Sequence, residues 1–132
     1  MPFRFEGLEI WTLAREFSSQ IDRVVSTFPK HELYGLRSQM SRAANAVPLL
    51  IAEGAGLSTR ALFNHRLSLA VGETFEVAAA GFLALDRGYV TEEVHAQIYE
   101  SADKDQQLSP YPDTTQHINS PSGQKQPISD TR

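Results

Sequence analysis

STRALFNHRLSLAVGETFEVAAAGFLALDRG, residues 58–88, decides the fold. Leu62, Phe63, Leu67, Ala70, Thr74, Val77, Gly81 and Leu85 recur at three- and four-residue steps, which predicts one long helix with an apolar stripe. Ser58 is a natural N-cap, because its hydroxyl can accept from an orphan amide of the first turn. Gly88 ends the helix. At ~1.5 Å per residue such a helix is about 45 Å long. The run Ala78-Ala79-Ala80-Gly81 has little side-chain bulk, so another backbone can approach closely there.

Upstream, Gly54-Ala55-Gly56 stops a second helix that starts near Lys30. Its stripe is Leu33, Leu36, Met40, Ala43, Ala44, Val47 and Ile51. Pro48 falls inside the stripe. It removes the hydrogen bond to the Ala44 carbonyl and should kink the helix without ending it. Further upstream, Leu8, Trp11, Ala14, Ile21, Val24, Val25 and Phe28 mark a first helix. Phe28-Pro29 ends it, since a residue before proline is pushed out of the α region.

Downstream, Thr91 caps a fourth helix over 92–102, with Glu92 and Glu93 in its first turn, where the helix dipole favours negative charge. Val94, Ile98 and Ala102 form its short stripe. From Gln106 to Arg132 the chain turns to Gln, Ser, Pro, Asp and Thr, with four of the seven prolines and no apolar period. Such a segment buries too little surface to offset its ordering entropy, so residues 106–132 are expected to be a disordered tail, a partner-binding role being the alternative. Short loops make sequential helices antiparallel. The expected architecture is an all-α, up-down-up-down four-helix bundle over residues 1–105. Its fourth helix is short and weakly apolar, which leaves apolar surface for another subunit.

There is no cysteine, which excludes disulfides, thiolate chemistry and sulfur-ligated zinc. The net charge of −4 gives no overall footprint for nucleic acid, because that binding is driven by Lys and Arg. MPFRFEGLEIW has no apolar run after a basic start, so no signal peptide is expected. The longest weakly polar stretch is Val77 to Leu85, short of the ~20 residues of a membrane span. A cytoplasmic protein is expected, with no membrane contact.

Polar residues line the stripes. Gln39, Arg42 and Glu53 form a row on the second helix; Arg66, Glu73 and Glu76 lie along the edge of the third. Antiparallel packing brings Arg42 toward Glu73 or Glu76, and its planar fork suits a carboxylate. Glu32, Gln39, Arg42, Glu53, Glu73 and Glu76 are therefore expected to form a structural polar network. Paired carboxylates can also serve as acid and base or as metal ligands. A di-metal bundle needs Glu-x-x-His on two helices, however, and only Glu92 and His95 have that spacing on a helix. No catalytic residue, metal or cofactor is expected. Arg60, His65 and Arg66 make a small basic spot, a possible nucleic-acid contact.

FPKHELYGL (28–36), Gln39, Arg42-Ala43-Ala44 and IAEG (51–54) resemble the signature of the four-helix bundle proteins named for the 23S rRNA intervening sequence. Leu8-Glu9-Ile10-Trp11, Phe63, Leu67, Ala70, Gly72, Glu76 and LDRGYV (85–90) fit it too. The resemblance covers roughly residues 3 to 100. It implies a bundle assembling as a ring-shaped homopentamer. A similar protein, the accessory variability determinant of diversity-generating retroelements, binds RNA and the reverse transcriptase through a basic pentamer surface. The function so implied is a non-catalytic oligomeric binding or assembly protein associated with RNA or an RNA-binding partner. Residues 1–105 hold ten Lys and Arg against fourteen Asp and Glu, which favours the alternative of a purely protein–protein scaffold.

Overall fold

A computed structural model describes residues 2–107. Four helices follow in order: α1 (Glu9–Val25), α2 (Leu36–Ala55), α3 (Arg60–Asp86) and α4 (Glu92–Gln107). Two 3₁₀ turns, Arg4–Gly7 and Lys30–Glu32, precede α1 and α2. No strand occurs among the described residues. The expected all-α four-helix bundle is what forms. The tail from Leu108 onward lies outside the described residues.

The core has two parts. Phe17, Ile21, Val25, Phe28, Leu36, Met40, Val77, Ala84 and Ile98 fill one. Ile10, Ala14, Val47, Ile51, Phe63 and Ala70 fill the other. Ile21, Met40 and Val77 are fully buried, and truncating a side chain as large as Met40 typically costs about 2–5 kcal/mol. Contacts run antiparallel: near one end of α2 Arg42 meets Glu73 and Glu76, while near the other Glu53 meets Arg66.

The boundaries differ from expectation in four places, each for a local reason. α2 begins at Leu36, six residues late. The Glu32 carboxylate accepts from the Leu36 amide at 2.9 Å and so closes the helix start there. Leu33, expected in the stripe, consequently stands exposed. The cap of α3 is Thr59, whose hydroxyl accepts from the Leu62 amide at 3.1 Å, and not Ser58. α1 stops at Val25, short of the expected Phe28, where the Ser26 and Thr27 hydroxyls donate back to the Arg23 and Val24 carbonyls, whereas α2 runs through Pro48 and stops at Ala55 as expected. α4 is the shortest of the four helices but continues to Gln107, where Gln106 and Gln107 both donate to Asp103.

At the other end of α3 the chain reverses around Gly88, at φ +77°, a conformation that favours glycine. The Tyr89 amide donates back to the Ala84 carbonyl and the Gly88 amide to that of Leu85, closing the helix end. This turn aims Tyr89 at the segment between α1 and α2. Thr91 then caps α4 as expected, accepting from the Val94 amide.

Candidate functional site

The expected polar network separates into distinct pieces. Across the α2–α3 seam, Arg42 meets Glu76 at 2.9 Å and Glu73 at 3.4 Å. One helix end away, the Arg66 Nε donates to Glu53 at 3.0 Å. Gln39 is exposed on α2 and belongs to neither pair. The Arg42 side chain is 56% exposed. Two carboxylates raise its already high affinity for a proton, the Glu76 bond most. Solvent screens pairs of this kind, so they fix register more than they stabilise.

Glu32 belongs elsewhere. It is buried at the end of the bundle, among residues that spacing alone does not connect to it. Its carboxylate accepts from the Tyr89 hydroxyl at 2.7 Å, from Arg87 at 3.1 Å and from the Leu36 amide. The Tyr89 proton is committed to Glu32, so the phenol oxygen is free to accept, and His31 Nε2 lies 3.1 Å from it. Tyr89 also packs its ring on Phe28 at 5.1 Å. The bond from Tyr89, then that from Leu36, holds the Glu32 carboxyl below its ordinary pKa, against the effect of burial. The same bond raises the Tyr89 phenol. A Cβ at Gly35 would come within 2.6 Å of the Glu32 oxygen, so the glycine keeps that space open. The arrangement satisfies a buried acid and ties three chain segments together. It holds its proton donors in fixed bonds.

A third polar pair escapes sequence reasoning. Asp105, on the last turn of α4, is buried against Thr74 of α3, whose hydroxyl lies 3.2 Å from it. Burial pushes its carboxyl up to about 6, and the Thr74 bond only partly offsets this. Among the described residues no three His, Asp or Glu side chains gather as a metal-holding group. His95, of the Glu-x-x-His spacing, stacks instead in an aromatic group with Phe82 at 4.4 Å and Tyr99 at 6.4 Å.

The largest unexplained feature is the outer side of α3. The helix packs Phe63, Ala70, Thr74, Val77, Gly81 and Ala84 inward. Leu62, expected in that stripe, is exposed, because it lies a ~100° step away from Phe63. Leu69, Phe75, Phe82 and Leu83 are exposed as well, Phe75 at 61%. α3 is long and apolar enough to cross a membrane by length and composition, with a third of that window buried in the bundle. Its apolar character thus extends well beyond Val77–Leu85. Gly72 sits on this side, and a Cβ there would meet nothing within 4 Å. Before α2, at the bundle end that holds Glu32, Tyr34 is 91% exposed beside Leu33. Of the basic spot, Arg60 and His65 are exposed, and Arg66 pairs with Glu53.

The fold has a solved counterpart. A protein of unknown function from the S23 ribosomal protein family of Bacteroides thetaiotaomicron superposes with a TM-score of 0.69 at 18% identity, covering 83% of this chain and 96% of that one. A comparison with curated proteins finds no match. Residues 6–108 match the family described as 23S rRNA-intervening sequence protein, over helices α1 to α4 and the polar tie at Glu32, and the chain belongs to that family.

Proposed function

We propose that the chain is a non-catalytic assembly and binding protein of the bacterial cytoplasm. It works as a ring-shaped homo-oligomer, the pentamer that the family resemblance implies. The outer side of α3 carries this reading. α3 carries large apolar residues on its outer side as well as its inner one, the pattern of a helix covered on both, yet within one chain only the inner side is covered. Glycine in a helix interior costs about 1 kcal/mol relative to alanine. Nothing inside the chain needs that space at Gly72, which fits close approach by a neighbouring subunit.

A closed ring needs two different patches, one meeting the other on the next subunit. Phe75 with Phe82 and Tyr99 supplies one; Leu33 with Tyr34 supplies the other. Lipid is a poorer cover for α3. Arg66, Glu73 and Glu76 lie on the same helix, and each charge at a bilayer centre costs about 3 kcal/mol or more.

The partner we propose for the ring is RNA or an RNA-bound protein, supported by family membership and by exposed Arg60 and His65. The protein-only scaffold is favoured by the charge of −4 and by the commitment of Arg66 to Glu53. Sedimentation at micromolar concentration tests assembly, and a monomer there would refute it. Phe75→Asp and Tyr34→Ala chains should each sediment as monomers. An equimolar mixture should give dimers, because each chain keeps one good patch. RNA retention that weakens with salt separates the two partner readings; no retention at low salt leaves the scaffold.

A further inference from the structure

The end of α4 is pinned to the bundle by an acid. On α4, Ile98, Ala102 and Asp105 are buried. Beyond Ala102, then, a carboxyl group is the one buried anchor among the described residues. Ile10 of α1, Val47 and Ile51 of α2, and Leu67, Ala70 and Val71 of α3 line the small cavity that Asp105 shares with Thr74. None of these titrates or carries charge. The cavity measures about 20 Å³, room for one water and not for the hydration shell of an anion. Among the described residues no cation pairs with Asp105. Its neighbours on α4 face elsewhere: Asp103 accepts from Gln106 and Gln107, and Lys104 lines the groove toward α1.

Thr74 decides which form of the acid fits. Its Oγ1 lies 3.0 Å from the Ala70 carbonyl oxygen and 3.2 Å from Asp105 Oδ2. A hydroxyl has one proton, so it cannot donate to both. With Asp105 ionised, one of these contacts has no hydrogen in it. With Asp105 protonated, both are bonds: the carboxyl donates to Thr74, and Thr74 donates to the carbonyl one turn back, as helical threonines do. The closed arrangement is that of the neutral acid. A buried anion with neither a counterion nor its full hydrogen bonds is costly, and a helix end is the part of a fold that opens most readily.

We propose that Asp105 is a proton-operated latch: its protonated carboxyl holds the last two turns of α4 on α3, and its ionisation releases them. The same turns bear on the outer side of α3. Tyr99, Ala102, Asp103 and Gln106 form one wall of a depression whose other wall is Thr74, Phe75 and Ala78. Release draws the first wall away from Phe75, so association through the outer patch weakens as the latch opens. That consequence rests on the assembly proposed above; the latch itself does not.

Closed, the carboxyl keeps its proton up to about 6; opened to water, it returns to the ordinary 3.8. Protonation therefore favours the closed state, and its contribution is complete below 3.8 and lost as pH rises through about 6. Glu32, held below the ordinary carboxylate range, stays ionised above pH 5 and takes no part.

Hydrogen exchange on the full native chain, corrected for the intrinsic rate of each amide, measures the opening. From pH 5 to pH 7.5 the opening equilibrium of the last two turns should rise about tenfold, while the centre of α2 stays far better protected. Asp105→Asn offers an amide that can donate to Thr74 as the acid does and that never ionises, so its helix end should stay closed throughout. A rise that survives in Asp105→Asn would assign it to another group, His95 of the same helix first, and would overturn the proposal. So would an opening that does not change with pH, or a helix end that exchanges only when α2 does. Exchange reads the latch in a monomer as well as in a ring, so its failure is told apart from failure of the assembly reading. In sedimentation, association should weaken over the same interval in the native chain and not in Asp105→Asn; association that stays constant while the helix end opens would overturn the control of assembly.

Discussion

α2 and α3 lie against each other, and Gly54 in the last turn of α2 and Gly72 in the middle of α3 stand in opposite surroundings. A Cβ on Gly54 would come within 2.6 Å of the Phe63 ring and 3.0 Å of Arg66. A Cβ on Gly72 would meet nothing. Where α3 meets Gly54 there is no room for a methyl group, while around Gly72 its outer side holds apolar residues with nothing upon them. The comparison separates what folds the subunit from what joins it to others.

Paired substitutions two residues apart should break the comparison most sharply. Val77→Asp places a carboxylate at a fully buried position. The uncompensated charge costs several kcal/mol, comparable with the total stability of a small domain, so helical circular dichroism should be lost. Phe75→Asp, on the outer side, should leave the helical signal intact. If both chains unfold, the outer side belongs to the subunit's own core.

The glycines give the next largest effect. Gly54→Ala should destabilise by up to about 3 kcal/mol, because the new methyl group would stand 2.6 Å from the Phe63 ring, which must shift to admit it. Gly72→Ala should do the reverse, raising the stability of the monomeric Phe75→Asp chain by about 1 kcal/mol through helix propensity. In the otherwise native chain the same change should weaken association. Denaturant titration and sedimentation read these separately.

Asp105 gives a smaller effect that depends on pH. Its carboxyl is raised to about 6 from the 3.8 of an exposed aspartate. A raised acid contributes stability that is complete below the unfolded value and is lost as pH climbs toward the folded one. Stability should thus fall by about 2 kcal/mol between pH 4 and pH 6 and then level off. Asp105→Asn should flatten that decline. Glu32 acts in the opposite sense: its lowered pKa means that acid, not base, removes its contribution. The acid limb should persist in Asp105→Asn, and melting scans from pH 3 to pH 8 would show both limbs.

Much of this was legible in the sequence. The period of three and four gave the helices, since an amphipathic stripe has one stable use, and Thr91 gave the start of α4. The α2–α3 ion pairs were legible because antiparallel helices bring predictable rows together. The tie at Glu32 was not. Its members, His31, Glu32, Arg87 and Tyr89, come from two loops, and no helical spacing relates residues 32 and 89. The signals available were FPKHELYGL and LDRGYV, two motifs outside the helical stripes whose partnership only the fold reveals. Asp105 was missed because it lay at the margin of a polar segment, where a burial pattern is weakest. The outer side of α3 was underread for a different reason: a stripe is sought on one face, and α3 carries apolar residues on its outer side as well.

The smallest expected effect separates the two polar systems. Arg42→Ala removes a cation that is 56% exposed, from carboxylates that water can still solvate. Pairs of that type contribute little, so the melting temperature should move by no more than about 3 °C. Glu32→Ala removes the acceptor of three hydrogen bonds at a buried position, and leaves Tyr89, Arg87 and the start of α2 without it. The melting temperature should fall several times further, with His31 and Tyr89 released to solvent. Phe28, which packs on Tyr89, reports the same loosening. Should Arg42→Ala prove the more damaging of the two, the seam between α2 and α3 would be the structural keystone, and the loops at the bundle end would be free for binding.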